Sequence, residues 1–127
     1  MKILTAIATI PCLLVMAAAA EAACTYPQAP QSIPNGASAT KEEMLAAQGT
    51  IKEYAQAVQV TYLGCLDAEK NTAISALDAA DPEYAQKKTA LEAMTAKKHN
   101  SALDELEALV SRWNAEKKAF TDKTAAK

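Results

Sequence analysis

Residues Thr40 to Leu66 read TKEEMLAAQGTIKEYAQAVQVTYLGCL. Thr40-Lys41-Glu42-Glu43 has the form of a capping box, in which the Thr40 hydroxyl accepts from the Glu43 amide while the Glu43 carboxylate reaches back, so a helix starts here. From this cap Met44, Ala47, Ile51, Tyr54, Val58, Tyr62, Cys65, Leu66, Ala73 and Leu77 recur with the period of one buried helical face. The pattern runs to about Ala80. Asp81-Pro82-Glu83 then ends one helix and opens another, with Asp81 as cap, Pro82 at the first helical position and Glu83 at the positive end of the dipole.

The second helix carries Tyr84, Leu91 and Met94, then His99, Leu103, Leu106, Val110, Trp113, Lys117 and Phe120 in alternating steps of four and three. The later positions form a heptad seam. A short turn between two long helices makes them antiparallel neighbours. The expected fold is therefore all-α, a long antiparallel helical hairpin or two-helix coiled coil. Its helices cover residues 40–80 and 82–122, each about 60 Å long, and residues 123–127 form a frayed tail. Ser101-Ala102-Leu103-Asp104 resembles a second capping box, and a break at Asn100 would give a three-helix bundle instead. The register running through His99 and Leu103 without a slip favours the hairpin. Composition agrees: the 127 residues hold 30 alanines but 3 glycines, 1 Phe and 1 Trp, whereas a sandwich or barrel needs β-branched runs and closely spaced turns.

Ahead of the first helix lie two segments of different character. Lys2 precedes an apolar run from Ile3 to Ala20, and Ala20-Glu21-Ala22 places small residues where a signal peptidase reads them. This is a Sec-type secretory signal over residues 1–22, cleaved after Ala22, and it implies a periplasmic or secreted protein. An uncleaved anchor would need roughly 18 or more apolar residues, but Pro11 interrupts the run and no positive stop follows it. No integral membrane segment is therefore expected after cleavage. Lipidation at Cys24 would need an aliphatic residue where Glu21 stands.

Cys12 departs with the signal, leaving Cys24 and Cys65 in an oxidising compartment, where they are expected to pair. Closing a loop of about 40 residues is worth roughly 4 kcal/mol on a chain-entropy argument. Residues 23–39 contain Pro27, Pro30, Pro34 and an Asn35-Gly36 turn signal, so they form an extended, Pro-rich N-terminal arm. The helix from Thr40 to Cys65 spans about 37 Å, and the 16 residues from Cys24 to Thr40 reach at most about 50 Å. The disulfide thus requires the arm to turn back at Asn35-Gly36 and lie antiparallel along the first helix, covering its apolar face with Tyr26, Pro27, Pro30 and Ile33. Gly64, beside Cys65, is the expected point of close approach.

The order Cys24, Tyr26-Pro27, Ile33-Pro34-Asn35-Gly36-Ala37, Ala39-Thr40, Glu43-Met44, Lys52-Glu53-Tyr54, Tyr62-Leu63-Gly64-Cys65, His99-Asn100 and Trp113-Asn114 resembles small exported proteins of proteobacteria, an uncharacterised family. The resemblance spans almost the whole mature chain. It implies a periplasmic or secreted helical protein with one disulfide and brings no activity, cofactor or catalytic residue.

Chemistry-bearing groups are few. His99 is the only imidazole, and general-base work would need a nucleophile held against it; a solitary His in a heptad seam reads as packed between helices. With both remaining cysteines expected in a disulfide, neither a metal site nor a cofactor is expected. Asn100 and Asn114 lie two heptads apart, where half-buried amides fix helix register or meet a partner. Tyr54, Tyr62, His99, Asn100, Trp113 and Asn114 form the candidate interaction face. The paired lysines at 87–88, 97–98 and 117–118 spread around the helix, and the mature chain carries 12 basic and 14 acidic residues, so nucleic acid is not an expected partner. An isolated hairpin leaves Ile74, Met94 and Leu109 poorly covered, which calls for the arm, a second copy or a protein partner. The leading expectation is a non-enzymatic structural or interaction protein of the cell envelope. A helical protein binding a small-molecule ligand and a periplasmic holdase are its rivals.

Overall fold

The computed structural model describes residues 23–126, so the expected export signal over residues 1–22 lies outside the described residues. All regular structure among these residues is helical. Helix α1 (Lys41–Gln56), a π turn (Ala57–Tyr62) and α2 (Leu63–Ser75) follow one another without a gap, and α3 (Tyr84–Ala125) runs for 42 residues.

The capping box forms as its chemistry dictates. The Glu43 amide donates to the Thr40 hydroxyl at 3.2 Å, and the Thr40 amide donates to the Glu43 carboxylate at 2.7 Å. The π turn has its own cause in the sequence. Buried and half-buried positions run Ile51, Tyr54, Val58, Tyr62, Leu66, and three consecutive steps of four drift forward around a helix of 3.6 residues per turn. A π turn has more residues per turn and cancels that drift; the Leu63 amide reaches back five residues to the Val58 carbonyl. Val58, inside the turn, is fully buried.

Helix α2 stops at Ser75, five residues before the expected end near Ala80. Two aspartates explain the early stop. The Ala80 amide donates to the Asp78 carboxylate at 2.9 Å and the Glu83 amide to the Asp81 carboxylate at 2.8 Å. These local bonds take donors that a continuing helix would use. Pro82 and Glu83 consequently belong to the turn, and α3 opens at Tyr84. It passes through Asn100 and Ser101–Asp104 unbroken, which removes the three-helix alternative. It also extends to Ala125, so residues 123–125 are helical and not a frayed tail.

The buried line of α3 is Ala102, Leu106, Leu109 and Trp113, flanked by half-buried His99, Glu116 and Phe120. This corrects the expected seam at three positions. Leu103 is 41% exposed, Lys117 is exposed and Val110 is only half-buried. Ala102 takes the inward place because its small side chain lets α3 close on Tyr54 and Val58. Leu109, expected to be poorly covered, is buried in that same cluster, against which Tyr26 and Ile33 pack. A second cluster joins Ala39, Met44, Ile51 and Trp113.

Contacts between α3 and the preceding helical run follow in opposite order along the chain. Lys98 meets Glu69 at 3.7 Å, Leu106 meets Tyr54 and Val58, Trp113 meets Met44 and Ile51, and Lys123 donates to the Ala39 carbonyl at 2.6 Å. Residues 23–39 contain no helix. The Ser38 and Ala39 amides both donate to the Asn35 carbonyl, at 3.1 and 2.7 Å, and the Gly36 amide donates to the Glu116 carboxylate at 2.7 Å. Gly36 is buried, and a Cβ there would run into the Glu116 carbonyl and the Phe120 amide. The close approach is therefore at Gly36 against α3. Gly64 is exposed with open space around it, so the expectation of a close approach beside Cys65 does not hold.

Candidate functional site

Cys24 and Cys65 are joined, with Cα atoms 5.8 Å apart across 41 residues of sequence. The bond ties the start of the described chain to the first turn of α2. Two residues on, the Tyr26 hydroxyl shares a hydrogen bond of 2.8 Å with the Tyr54 hydroxyl, and the Tyr26 ring stands edge-on to Tyr62 with centroids 4.9 Å apart. Burial, and then the bond with Tyr54, push the Tyr26 phenol well above its ordinary pKa. Tyr26, Tyr62, Met94, Lys97, Ala102 and Glu105 border a hollow of about 290 Å³ beside this knot.

His99 is half-buried on α3. Its Nε2 is shielded from solvent without a hydrogen-bond partner among the described residues, 3.7 Å from the Asp67 carboxylate. Lys70 donates to that carboxylate at 2.9 Å and is the main reason its pKa lies below the ordinary value, with His99 adding a smaller effect. The acid and imidazole resemble two members of a catalytic constellation, but neither Cys24 nor Cys65 is a free thiol, so neither cysteine can serve as the nucleophile. The described residues contain no cluster of three or more His, Cys, Asp or Glu suited to a metal ion. None of the described helices is long and apolar enough to cross a membrane.

The six residues expected to share an interaction face are dispersed. Tyr54 and Trp113 are each 5% exposed and belong to separate core clusters. Tyr62 and His99 are half-buried, while Asn100 and Asn114 are exposed. Each Asn follows a residue on the inward line, and one residue turns the helix by about 100°. That rotation carries both amides away from the packed side, so they do not set register.

What sequence reading missed is a groove between the start of α1 and the end of α3. Met44, Leu45, Trp113 and Phe120 form its apolar part, with Lys41 and Lys117 at its polar margin and a volume of about 250 Å³. Lys117 Nζ stands 5.9 Å from the Trp113 ring centroid, and Lys123 Nζ 4.9 Å from that of Phe120. Leu45 is 57% exposed. It follows Met44 but breaks the period of the buried face, and that break was the available signal. A second apolar hollow lies near the interhelical turn among Leu77, Lys87, Ala90, Leu91 and Met94.

No known protein family, curated protein or solved structure matches the chain.

Proposed function

We propose that this is a non-enzymatic, exported helical protein of the bacterial cell envelope that works by presenting a rigid surface to a protein partner. In this reading residues 40–125 act as a long antiparallel hairpin, a two-helix coiled coil whose Pro-rich arm is stapled to the first helix by Cys24 and Cys65. Lys2, the apolar run behind it and the small residues at 20 and 22 support export. A disulfide between the only two cysteines left after cleavage is consistent with an oxidising destination.

The observation that carries the proposal is the surface of the turn-proximal part. From Asp67 to Ser101 no residue is buried, and Met94, 54% exposed, adjoins half-buried Leu77 and Leu91 around an apolar hollow. Large exposed apolar groups gathered on a rigid element are what a protein interface covers. A photo-cross-linking residue at Met94, compared with one at exposed Asn114 on the same helix, tests this in intact cells. A single dominant cross-linked protein from position 94 alone, lost on Leu91→Asp, is the expected result. Self-links alone would reassign the face to a second copy, and a diffuse set of unrelated proteins would point to a holdase.

A further inference from the structure

At the opposite end from the proposed partner face, the groove between α1 and α3 has a chemical character of its own. We propose that it is a binding site for a free single-chain amphipathic anion, an alkyl chain ending in a carboxylate or a group of similar charge. Met44 and Trp113 are 6% and 5% exposed, so the floor is packed and preformed. Leu45, at 57%, and half-buried Phe120 supply apolar surface that this chain leaves partly uncovered. A volume of about 250 Å³ suits one short alkyl chain.

The charges at the groove select the sign of the head group. Lys41 and Lys117 border it and make no ion pair among the described residues. The acids close by are mostly engaged elsewhere. Glu43 accepts from the Thr40 amide, Glu116 from the Gly36 amide, and Asp122 pairs with Lys118 at 2.6 Å. Glu42 is the exception, and it lies about 100° around α1 from Lys41, off the line of Lys41, Met44, Leu45 and Gln48. Gln48 and Thr121 complete the lining; the Gln48 amide can donate to head-group oxygens, while the Thr121 hydroxyl donates to the Lys117 carbonyl at 3.0 Å. An apolar floor with two ammonium groups that lack an ion pair among the described residues, that of Lys117 resting 5.9 Å from the Trp113 ring centroid, and with no lining carboxylate is complementary to an anion carrying a chain. The proposal rests on none of the residues of the partner face, so either can fail alone.

Trp113 is the only tryptophan, so its emission reports on the groove directly. The mature disulfide-bonded protein is titrated with octanoate, 1-octanol and octylammonium, all monomeric in the range used. Octanoate should give a saturable change in Trp113 emission, octanol a midpoint about fivefold weaker, as expected for losing exposed charge pairing, and octylammonium none. Lys41→Gln with Lys117→Gln should bring octanoate to the level of octanol while helical circular dichroism stays unchanged. Leu45→Asp, at an exposed position that does not threaten folding, should abolish the response to octanoate. Equal midpoints for octanoate and octanol in the native chain would overturn the anion assignment. A response to anionic phosphatidylglycerol vesicles without one to octanoate would replace the free amphiphile with a lipid surface. The absence of any saturable change would remove the site.

Discussion

The two ends of the helical region are built from similar sequence and pack differently. At the end where residues 23–39 lie against the helices, Met44, Ile51, Tyr54, Val58, Ala102, Leu106, Leu109 and Trp113 are all buried. Toward the turn, from Asp67 to Ser101, no residue is. At both ends α3 lies against the preceding helical run, and both offer leucine and alanine at inward positions. The difference is the third element: Tyr26 and Ile33 pack over the first cluster and Ile33 also touches the second, while among the described residues nothing comparable lies over Leu77 and Leu91. Two helices in contact leave each inward side chain open on two flanks. An extended segment with almost no hydrogen-bonded structure of its own is enough to close one of them and turn a seam into a core.

This contrast breaks most visibly if the segment is released. Reduction of the Cys24–Cys65 bond, or its replacement by two serines, removes a constraint spanning 41 residues; a loop of that size is worth about 4 kcal/mol. Urea unfolding followed by Trp113 emission should show that loss. Amide exchange should speed up at Tyr54, Val58 and Leu106 and stay unchanged near Leu77 and Leu91. Equal acceleration at both ends would mean that the segment does not make the core. Truncation sharpens the same point at a single side chain. Leu106→Ala removes a buried leucine, at about 3 kcal/mol, whereas Leu91→Ala removes a half-covered one, at about 1 kcal/mol. Thermal melts of the two variants side by side test the ratio, and similar costs would show the turn end to be packed as well as the other.

The same asymmetry explains how much was legible in the sequence. The helical period from Met44 to Leu77 and the capping box at Thr40 are local, and the buried face of the first helical run follows them closely. Even the π turn left a trace, in the steps of four from Tyr54 to Leu66. On α3 the choice between Leu103 and Ala102, or between Val110 and Leu109, depends on what packs against the helix. Bulk favours Leu103, yet the inward place needs a side chain small enough for α3 to close on Tyr54 and Val58, and Leu109 has the cluster under Tyr26 and Ile33 to fill. Neither reason is visible along α3 itself. The turn was misplaced for a different reason: Asp78 and Asp81 act through side-chain bonds to amides two residues on, which compete with the helix wherever they occur and end α2 at Ser75. The Lys-bordered groove joins residues more than sixty positions apart and has no local signature beyond an out-of-phase Leu45.

A smaller effect tests how firmly residues 23–39 are seated. Tyr26→Phe keeps the ring against Tyr62 and deletes the hydroxyl that meets Tyr54, at about 1 kcal/mol. The native protein carries a pH signature that this variant should lose. The Tyr26 phenol is held above its ordinary value of 10.0 chiefly by burial, so the folded state keeps its proton after the unfolded chain has given it up. Its contribution is complete below about pH 10 and declines as pH rises further. Unfolding free energy measured between pH 9 and 11 should therefore fall more steeply in the native chain than in Tyr26→Phe, and parallel slopes would place the phenol in water.

The smallest expected effect belongs to the bare end, and its sign is opposite. The Asp81 carboxylate accepts from Lys87 at 2.6 Å and from the Glu83 amide at 2.8 Å, and these bonds, the lysine's first, hold its pKa below the ordinary 3.8. A group lowered in this way stabilises the fold above its unfolded value, and the contribution is lost as pH falls through the folded one. The group is only half-buried and sits in the turn, so the loss should be local rather than global. Between pH 4 and 2, proton exchange at the Glu83 and Tyr84 amides should rise relative to exchange at Leu106, while Trp113 emission holds steady. Asp81→Asn should raise that exchange at pH 7 and flatten its acid dependence. If acid instead loosened Leu106 in step with Glu83, the helices would open as one cooperative unit, and the separation between their covered and uncovered ends would be one of packing alone, without a counterpart in stability.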